Sequence, residues 1–237
     1  MKIAHISDTH ICLPQPENTD RLGNLKLAID EINLMHPAPQ LVVHTGDITH
    51  NGQVEEYQAA YGLLAQLNMP LYVIPGNKDH RREMREIFRN EMKLDDDSEF
   101  FQYAINFDRL RLVFLDTLDE GERLGHLCEA RLNNLVQMLE EDSEKATVIF
   151  MHHPTFDIVE APQPFQFISH EVVEKFEKIV GDNQQIIKIY SGHSHRYGSD
   201  KLGNTDLRAI SAIAIDLRWG DYGEKMRKRP VYEIYDL

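Results

Sequence analysis

The chain has 237 residues, 42% of them hydrophobic, so a real core is available: a fold of this length hides roughly 70–75% of the surface of its unfolded form. Lys and Arg total 25 against 39 Asp and Glu, a net charge of −14, which counts against a long nucleic acid or an anionic membrane face as main partner but lets a local cation draw in a small phosphate ester. The two cysteines, Cys12 and Cys128, cannot frame a disulfide scaffold and lie outside any zinc-type spacing; with no membrane-length apolar run and no signal-peptide pattern over Met1 to Asp8, a cytoplasmic protein is expected.

Ile3 to Ser7 is a short apolar run that ends at Asp8-Thr9-His10, which reads as a buried strand delivering polar groups at its C-terminal end. Leu22, Leu25, Leu27, Ile29, Ile32 and Leu34 follow with roughly helical spacing, up to a stop at His36-Pro37. Leu41 to Val43 predicts a strand ending in Thr45-Gly46-Asp47, Val54 to Leu67 a helix, and Leu71 to Ile74 a strand ending in Pro75-Gly76-Asn77. This alternation argues for parallel βαβ units.

The second half changes rhythm. Phe100 to Phe107 and Leu110 to Asp116 predict paired strands, followed by a helix over Glu129 to Glu141 and a strand over Thr147 to Met151 that closes on His152-His153-Pro154. His170 to Val180 reads as helix and Ile186 to Tyr190 as a strand ending in Ser191-Gly192-His193-Ser194-His195. The last strands are expected near Leu207 to Ile215 and Pro230 to Tyr235, and the acidic Asp95-Asp96-Asp97 reads as a solvated turn. No repeat or long linker divides the chain, so a single domain over residues 1–237 is expected.

Polar groups therefore sit at five strand ends: Asp8 with His10, Asp47, Asn77, His152, and His193 with His195. Each motif alone has a plain structural reading. Asp8-Thr9-His10 could be a helix N-cap beside a surface histidine, the two Gly-Asx pairs turns, and His152-His153 a core histidine next to an exposed one. Together they argue otherwise, because the carboxyl ends of parallel strands line one crevice. Imidazole, carboxylate and amide donors without thiolate suit Mn, Fe, Zn, Co or Ni and give no reason to expect copper(I).

In this order and spacing, Asp8-x-His10, Gly46-Asp47, Gly76-Asn77, His152 and Gly192-His193-x-His195 resemble the calcineurin-like metallophosphoesterases. Ser7-Asp8-Thr9-His10, Asp116-Thr117 and Met151-His152-His153-Pro154 are further similar to the bacterial class III cyclic-nucleotide phosphodiesterase branch. The resemblance implies an α/β fold, a four-layer αββα sandwich of two mixed β-sheets flanked by helices. It also implies two divalent or mixed-valence metal ions, with Mn, Fe or Zn expected. Asp8, His10 and His195 would hold one, Asn77, His152 and His193 the other, and Asp47 would bridge them. His153 is left as a supporting or pocket residue. Two divalent cations, two carboxylates and a bridging hydroxide leave the site near +1, so a phosphate monoanion is attracted despite the acidic surface, and the hydroxide would be the nucleophile.

The chain departs from the family at one place: Gly76-Asn77-Lys78-Asp79 stands where Gly-Asn-His-Asp is usual. Lys78 is a point cation able to stabilise developing negative charge, but a poor general acid unless the metals depress its pKa from near ~10.4. His80 is the substitute acid to consider, against a plain surface role. The expected activity is hydrolysis of a small phosphodiester resembling a cyclic nucleotide. A nucleotide-linked pyrophosphatase, or a metal-bound phosphate-ligand-binding protein with weak turnover, is the alternative. Tyr197, Trp219 and Tyr222 are the aromatics expected as pocket walls. The partners expected are the small phosphate ester and a second copy of the chain in a homodimer.

Overall fold

A computed structural model describes residues 1–94, 98–159 and 161–237, the side chain of Lys225 excepted. The acidic turn expected over 95–97 lies outside the described residues. The first half forms β1 (Lys2–Ile6), α1 (Arg21–Asn33), β2 (Leu41–His44), α2 (Val54–Leu64), β3 (Leu71–Val73) and α3 (Arg81–Ile87). Then follow β4 (Tyr103–Asn106), β5 (Leu110–Leu115), α4 (Glu129–Glu140), β6 (Ala146–Met151), α5 (His170–Asp182) and β7 (Ile186–Ser191). The chain closes with β8 (Gly198–Leu202), β9 (Thr205–Ala209), a 3-10 turn over Ile215–Leu217, α6 (Gly223–Met226) and β10 (Glu233–Asp236). Among the described residues, no helix is long and apolar enough to cross a membrane.

Two mixed sheets result, ordered β10-β1-β2-β3 and β4-β5-β6-β7-β9-β8. β1, β2 and β3 run parallel, as do β5, β6, β7 and β9, while β10, β4 and β8 join antiparallel at the edges. The period-2 alternation of β5 and β6 explains the layering. Leu112, Phe114, Val148 and Phe150 face the first sheet, while Val113, Leu115, Ile149 and Met151 face Leu132, Leu135 and Met138 of α4 and Val173 and Phe176 of α5. Leu25, Ala28, Ile29 and Ile32 of α1 and Tyr57, Ala60 and Leu64 of α2 cover the other side of the first sheet. The four-layer sandwich expected from the resemblance is the observed fold.

An aromatic ladder locks the two sheets together. Tyr103 stacks on Phe114 with centroids 4.6 Å apart, Phe114 on Phe150 at 5.6 Å, Phe150 leans on Tyr190 at 5.5 Å, and Tyr190 stacks on Tyr235 of β10. At its far end the Tyr103 hydroxyl donates to the Val73 carbonyl of β3 at 2.8 Å. Large rings buried in this way contribute more than 1 kcal/mol each, on the order of ~2, by area alone.

One expectation needs correction, and two elements were not foreseen. The strand expected over Leu207 to Ile215 stops at Ala209, because Ile213 and Ala214 donate backbone hydrogen bonds to the Ser7 and Asp8 carbonyls at 3.0 and 3.2 Å and thereby brace the turn after β1. β8, with the sequence GSDKL, is an edge strand too polar to show a pattern. α3 spans only seven residues, too few for a helical period to be legible.

Candidate metal centre

The turns that follow β1, β2, β3, β6 and β7 meet at one end of the sandwich. Asp8, His10, Asp47, His193 and His195 all have positive φ, between 45° and 65°. Left-handed backbone is unfavourable for residues with a Cβ and persists where surrounding structure over-determines it. Here the turns are interlocked: a Cβ on Gly76 would stand 2.3 Å from Asp47 Oδ1 and 2.7 Å from His152 Cε1, so only glycine lets the β3 turn lie against the β2 turn.

The seven predicted donors are brought together. Asp8, His10, Asp47 and His195 form one group, and His152, His153 and His193 a second, the ligand atoms within each lying within 4.8 Å of one another. His10 Nε2 is 3.0 Å from His195 Nε2 and 3.3 Å from Asp47 Oδ2, and Asp8 Oδ1 is 3.3 Å from His195 Nε2. In the second group, Asn77 Oδ1 is 2.9 Å from His193 Nδ1 and 3.3 Å from His152 Nε2. Asp47 Oδ1 lies 3.5 Å from His152 Nε2, so this one carboxylate faces both groups.

The ring tautomers are set from outside the centre. His152 Nδ1 donates to the Thr45 carbonyl at 2.7 Å and His195 Nδ1 to the Leu217 carbonyl at 3.1 Å, which leaves each Nε2 with its lone pair directed inward. His193 is turned the other way: Nε2 donates to Gln166 Oε1 at 2.9 Å and Nδ1 points inward. His153 has both ring nitrogens engaged, with Thr117 Oγ1 at 2.8 Å and the Arg123 carbonyl at 3.1 Å. Its hydrogen bonding is that of a supporting histidine.

The electrostatics favour positive charge at this spot. Burial holds the imidazoles of His10, His152 and His193 neutral, below the usual histidine range. Burial also works against the charged forms of Asp8 and His195, but each outweighs it for the other: Asp8 is lowered and His195 raised. Asp47 is pushed up, by burial first and then by the charge of Asp8. Asp8 Oδ1 is buried without a hydrogen-bond partner. Facing lone pairs, crowded carboxylates and an orphaned oxygen are what a pair of cations would satisfy, so the donor set fits the dinuclear centre expected of it.

Several residues support the centre from outside it; Asp79 and Asp116 belong to motifs legible in the sequence, and Gln166 does not. Asp79 accepts from the backbone amides of Gly76, Ile48 and Thr49 at 2.9 to 3.2 Å and from the Tyr57 hydroxyl at 3.0 Å, tying the Asn77 turn to the Asp47 turn. Asp116 is a structural anchor: it pairs with Arg81 at 2.8 Å and caps the Phe101 and Leu118 amides. Gln166 comes from an irregular segment, where no period could single it out.

The centre floors a cleft of about 620 Å³ whose walls include Lys78, Arg123, Arg196, Arg218 and Trp219. Lys78 is exposed, and its backbone amide donates to Asp47 Oδ1 at 2.8 Å. His80 is exposed and lies against Gly52, where a Cβ would meet its ring at 2.6 Å; it opens on a neighbouring cleft that it shares with Lys78. His50, half-buried and unforeseen, lines both clefts. Of the three expected aromatics, Trp219 lines the cleft, whereas Tyr197 and Tyr222 stand behind it, with ring centroids 6.0 Å apart.

The profile of the calcineurin-like phosphoesterases matches residues 1–197. A probable glycerophosphodiester phosphodiesterase of Arcobacter nitrofigilis is 29% identical over 99% of this chain and 88% of its own length. A probable cyclic nucleotide phosphodiesterase of Rhodopseudomonas palustris is 34% identical over 66% of this chain and 58% of its own. Among solved structures, a dimetal phosphatase from Danio rerio superposes with a TM-score of 0.71 at 16% identity over 90% of this chain and 88% of its own, which speaks for the fold. The chain therefore belongs to the calcineurin-like phosphoesterases, a family of dinuclear metal-dependent hydrolases, and its relatives lie in the bacterial class III phosphodiesterase branch.

Proposed function

We propose that this chain is a phosphodiesterase that hydrolyses a small phosphodiester, with a cyclic nucleotide-like ester as the leading substrate class. The observation that carries the reading is the convergence of seven donors, of which His10, Asp47, Asn77, His193 and His195 floor a cleft with cationic walls, in a chain of net charge −14. Relatives named as phosphodiesterases favour it over the pyrophosphatase and binding-protein alternatives. The assigned ligands are Asp8, His10 and His195 for one ion, Asn77, His152 and His193 for the other, and Asp47 shared. Two Mn, Fe or Zn ions would polarise the phosphoryl oxygens and make a bound water nucleophilic near neutral pH.

The protein's own groups do the rest. Asp47, held by the Lys78 amide, keeps the two halves of the centre in register. Gln166 holds His193 in the tautomer that offers Nδ1. Lys78 supplies a cation to the phosphate and to charge developing on the leaving oxygen. For proton delivery, His50 is better placed than His80, since it lines the cleft that the donors floor. Residues 1–237 act as one unit in this account, supported by the pairing of β10 with β1. The free thiols Cys12 and Cys128 support a cytoplasmic setting.

The test is a panel of phosphomonoesters, phosphodiesters and pyrophosphates, assayed with Mn, Fe, Zn and Co in turn. Highest kcat/KM on diesters is expected. Preference for pyrophosphates, or no turnover with any metal, would contradict the reading.

A further inference from the structure

Arg196 and Arg218 differ from the buried arginines that hold the fold together. The buried Arg21, Arg111 and Arg131 each pair with a carboxylate, respectively Asp216, Glu141 and Asp116. Arg196 is only 8% exposed, yet among the described residues it has no carboxylate and no side-chain hydrogen bond; an Nε buried without a partner it shares with Arg111 and Arg131. Arg218, beside it on the cleft wall, has both Nε and Nη1 buried and unpartnered; its one hydrogen bond runs from Nη2 to the Arg227 carbonyl at 3.3 Å. An unsatisfied buried guanidinium nitrogen is costly, the more so when charged.

The wall that carries them is held firmly. The Trp219 amide and the Ser211 hydroxyl both donate to the His195 carbonyl at 2.9 Å, and the Tyr222 hydroxyl donates to the Trp219 carbonyl at 3.1 Å. Arg196 lies over the Trp219 ring at 5.8 Å and Arg218 over the Tyr222 ring at 4.8 Å, so the rings orient both guanidinium planes. Asp216, the acid on this wall, is already engaged by Arg21 at 2.7 Å. Two oriented cations on the cleft wall, neither paired with a carboxylate among the described residues, form a receptor for a dianion.

We propose that Arg196 and Arg218 form a second phosphate subsite, separate from the metal centre, so that the preferred substrate is a phosphodiester whose non-reacting part carries a phosphomonoester. This rests on the phosphodiesterase reading for the word substrate, while the subsite itself rests on the two arginines. Within the cyclic nucleotide-like class proposed above, this favours esters that carry a further phosphate over a simple cyclic mononucleotide, which would occupy the metal centre alone.

Binding is measured by titration calorimetry on Mn-loaded protein, with thymidine 5′-phosphate and thymidine 3′,5′-bisphosphate as probes. Both present one phosphate to the centre; only the second has another to offer. The bisphosphate is expected to bind at least ~10-fold more tightly, in line with hydrogen bonds to a charged group. That ratio should collapse towards one in Arg218→Gln and in Arg196→Gln, and be partly kept in Arg218→Lys. Should the more buried Arg196→Gln fail to fold, the half-buried Arg218 decides alone. A ratio near one in the parent, or a ratio retained in Arg218→Gln, overturns the subsite. Hydrolysis of the 5′-nitrophenyl esters of thymidine phosphate, with and without a 3′-phosphate, is followed in parallel. No hydrolysis of either with the binding ratio intact defeats the phosphodiesterase reading and leaves the subsite standing.

Discussion

His10 Nε2 and His195 Nε2 face each other at 3.0 Å across 185 residues of sequence. The Nδ1 proton of His195 is committed to the Leu217 carbonyl, so its inward nitrogen is a lone pair. With His10 Nε2 unprotonated as well, two lone pairs face each other, and the contact becomes favourable when a cation sits against both nitrogens. The same logic applies to His152 and His193, whose inward nitrogens stand 3.2 Å apart beside Asn77.

Asp47 is the carboxylate common to both groups, so its loss should be felt by both ions and that of Asn77 by one. Asp47→Ala is expected to lower kcat/KM by more than ~10²-fold, beyond the ~10–100-fold typical of outer supporting residues, and to lower bound metal. Asn77→Ala should retain more of each. Equal residual rates with full metal occupancy in both variants, read by elemental analysis, would remove Asp47 from its bridging role.

Gln166 acts on the centre only through His193. Gln166→Ala frees the ring to turn and should weaken metal binding by ~10–100-fold, with Gln166→Glu restoring most of it by accepting the same Nε2 proton. A metal titration followed by calorimetry checks this. Unchanged affinity in Gln166→Ala would show that His193 keeps its tautomer unaided.

Lys78 is assigned to charge and not to proton transfer. Esters with good leaving groups should be cleaved well and those with poor ones slowly. Lys78→Ala should depress both, and Lys78→His should speed poor leaving groups selectively, by up to ~10²-fold. The measurement is the dependence of kcat/KM on leaving-group pKa in the three proteins. A flat dependence in the parent would assign the proton to another group, with His50 the first to examine by substitution.

Acid stability should be limited by two buried histidines behind the centre. Burial lowers both His5 and His44 to about 3. His5 sits between Thr45 Oγ1 at 2.8 Å and the Tyr235 hydroxyl at 3.2 Å. Below pH ~6.5 the unfolded chain binds a proton at each that the folded chain refuses, so stability is complete above that pH and falls as pH drops towards 3. The slope contributed is roughly 1.4 kcal/mol per histidine per pH unit. His5→Gln should therefore show a shallower fall of Tm between pH 6.5 and 4 than the parent. Parallel curves would mean that His5 titrates normally in the fold.

Much of this was legible in the sequence, and the reasons differ by element. β1, β2, β5, β6 and β7 are short apolar runs ending on polar residues, and buried parallel strands leave that imprint because both faces are covered. The donors followed, since a strand end fixes where its turn points. Arg196 and Gln166 were not legible: one is a single arginine in a loop, the other a single amide in an irregular segment, and their roles exist only through partners far away in the chain. The left-handed backbone of Asp8 and Asp47 was hidden too, because it is imposed by the interlocked turns and not by local preference.

The central claim is that Asp8, His10, Asp47, Asn77, His152, His193 and His195 hold two metal ions. Anomalous diffraction from crystals grown with Mn, collected on both sides of the Mn edge, tests it most directly. Two peaks roughly 3.5–4 Å apart are predicted, one against His10 and His195, the other against His152 and His193, with Asp47 touching both. A single peak at saturating Mn, or two peaks away from these side chains, would contradict the account.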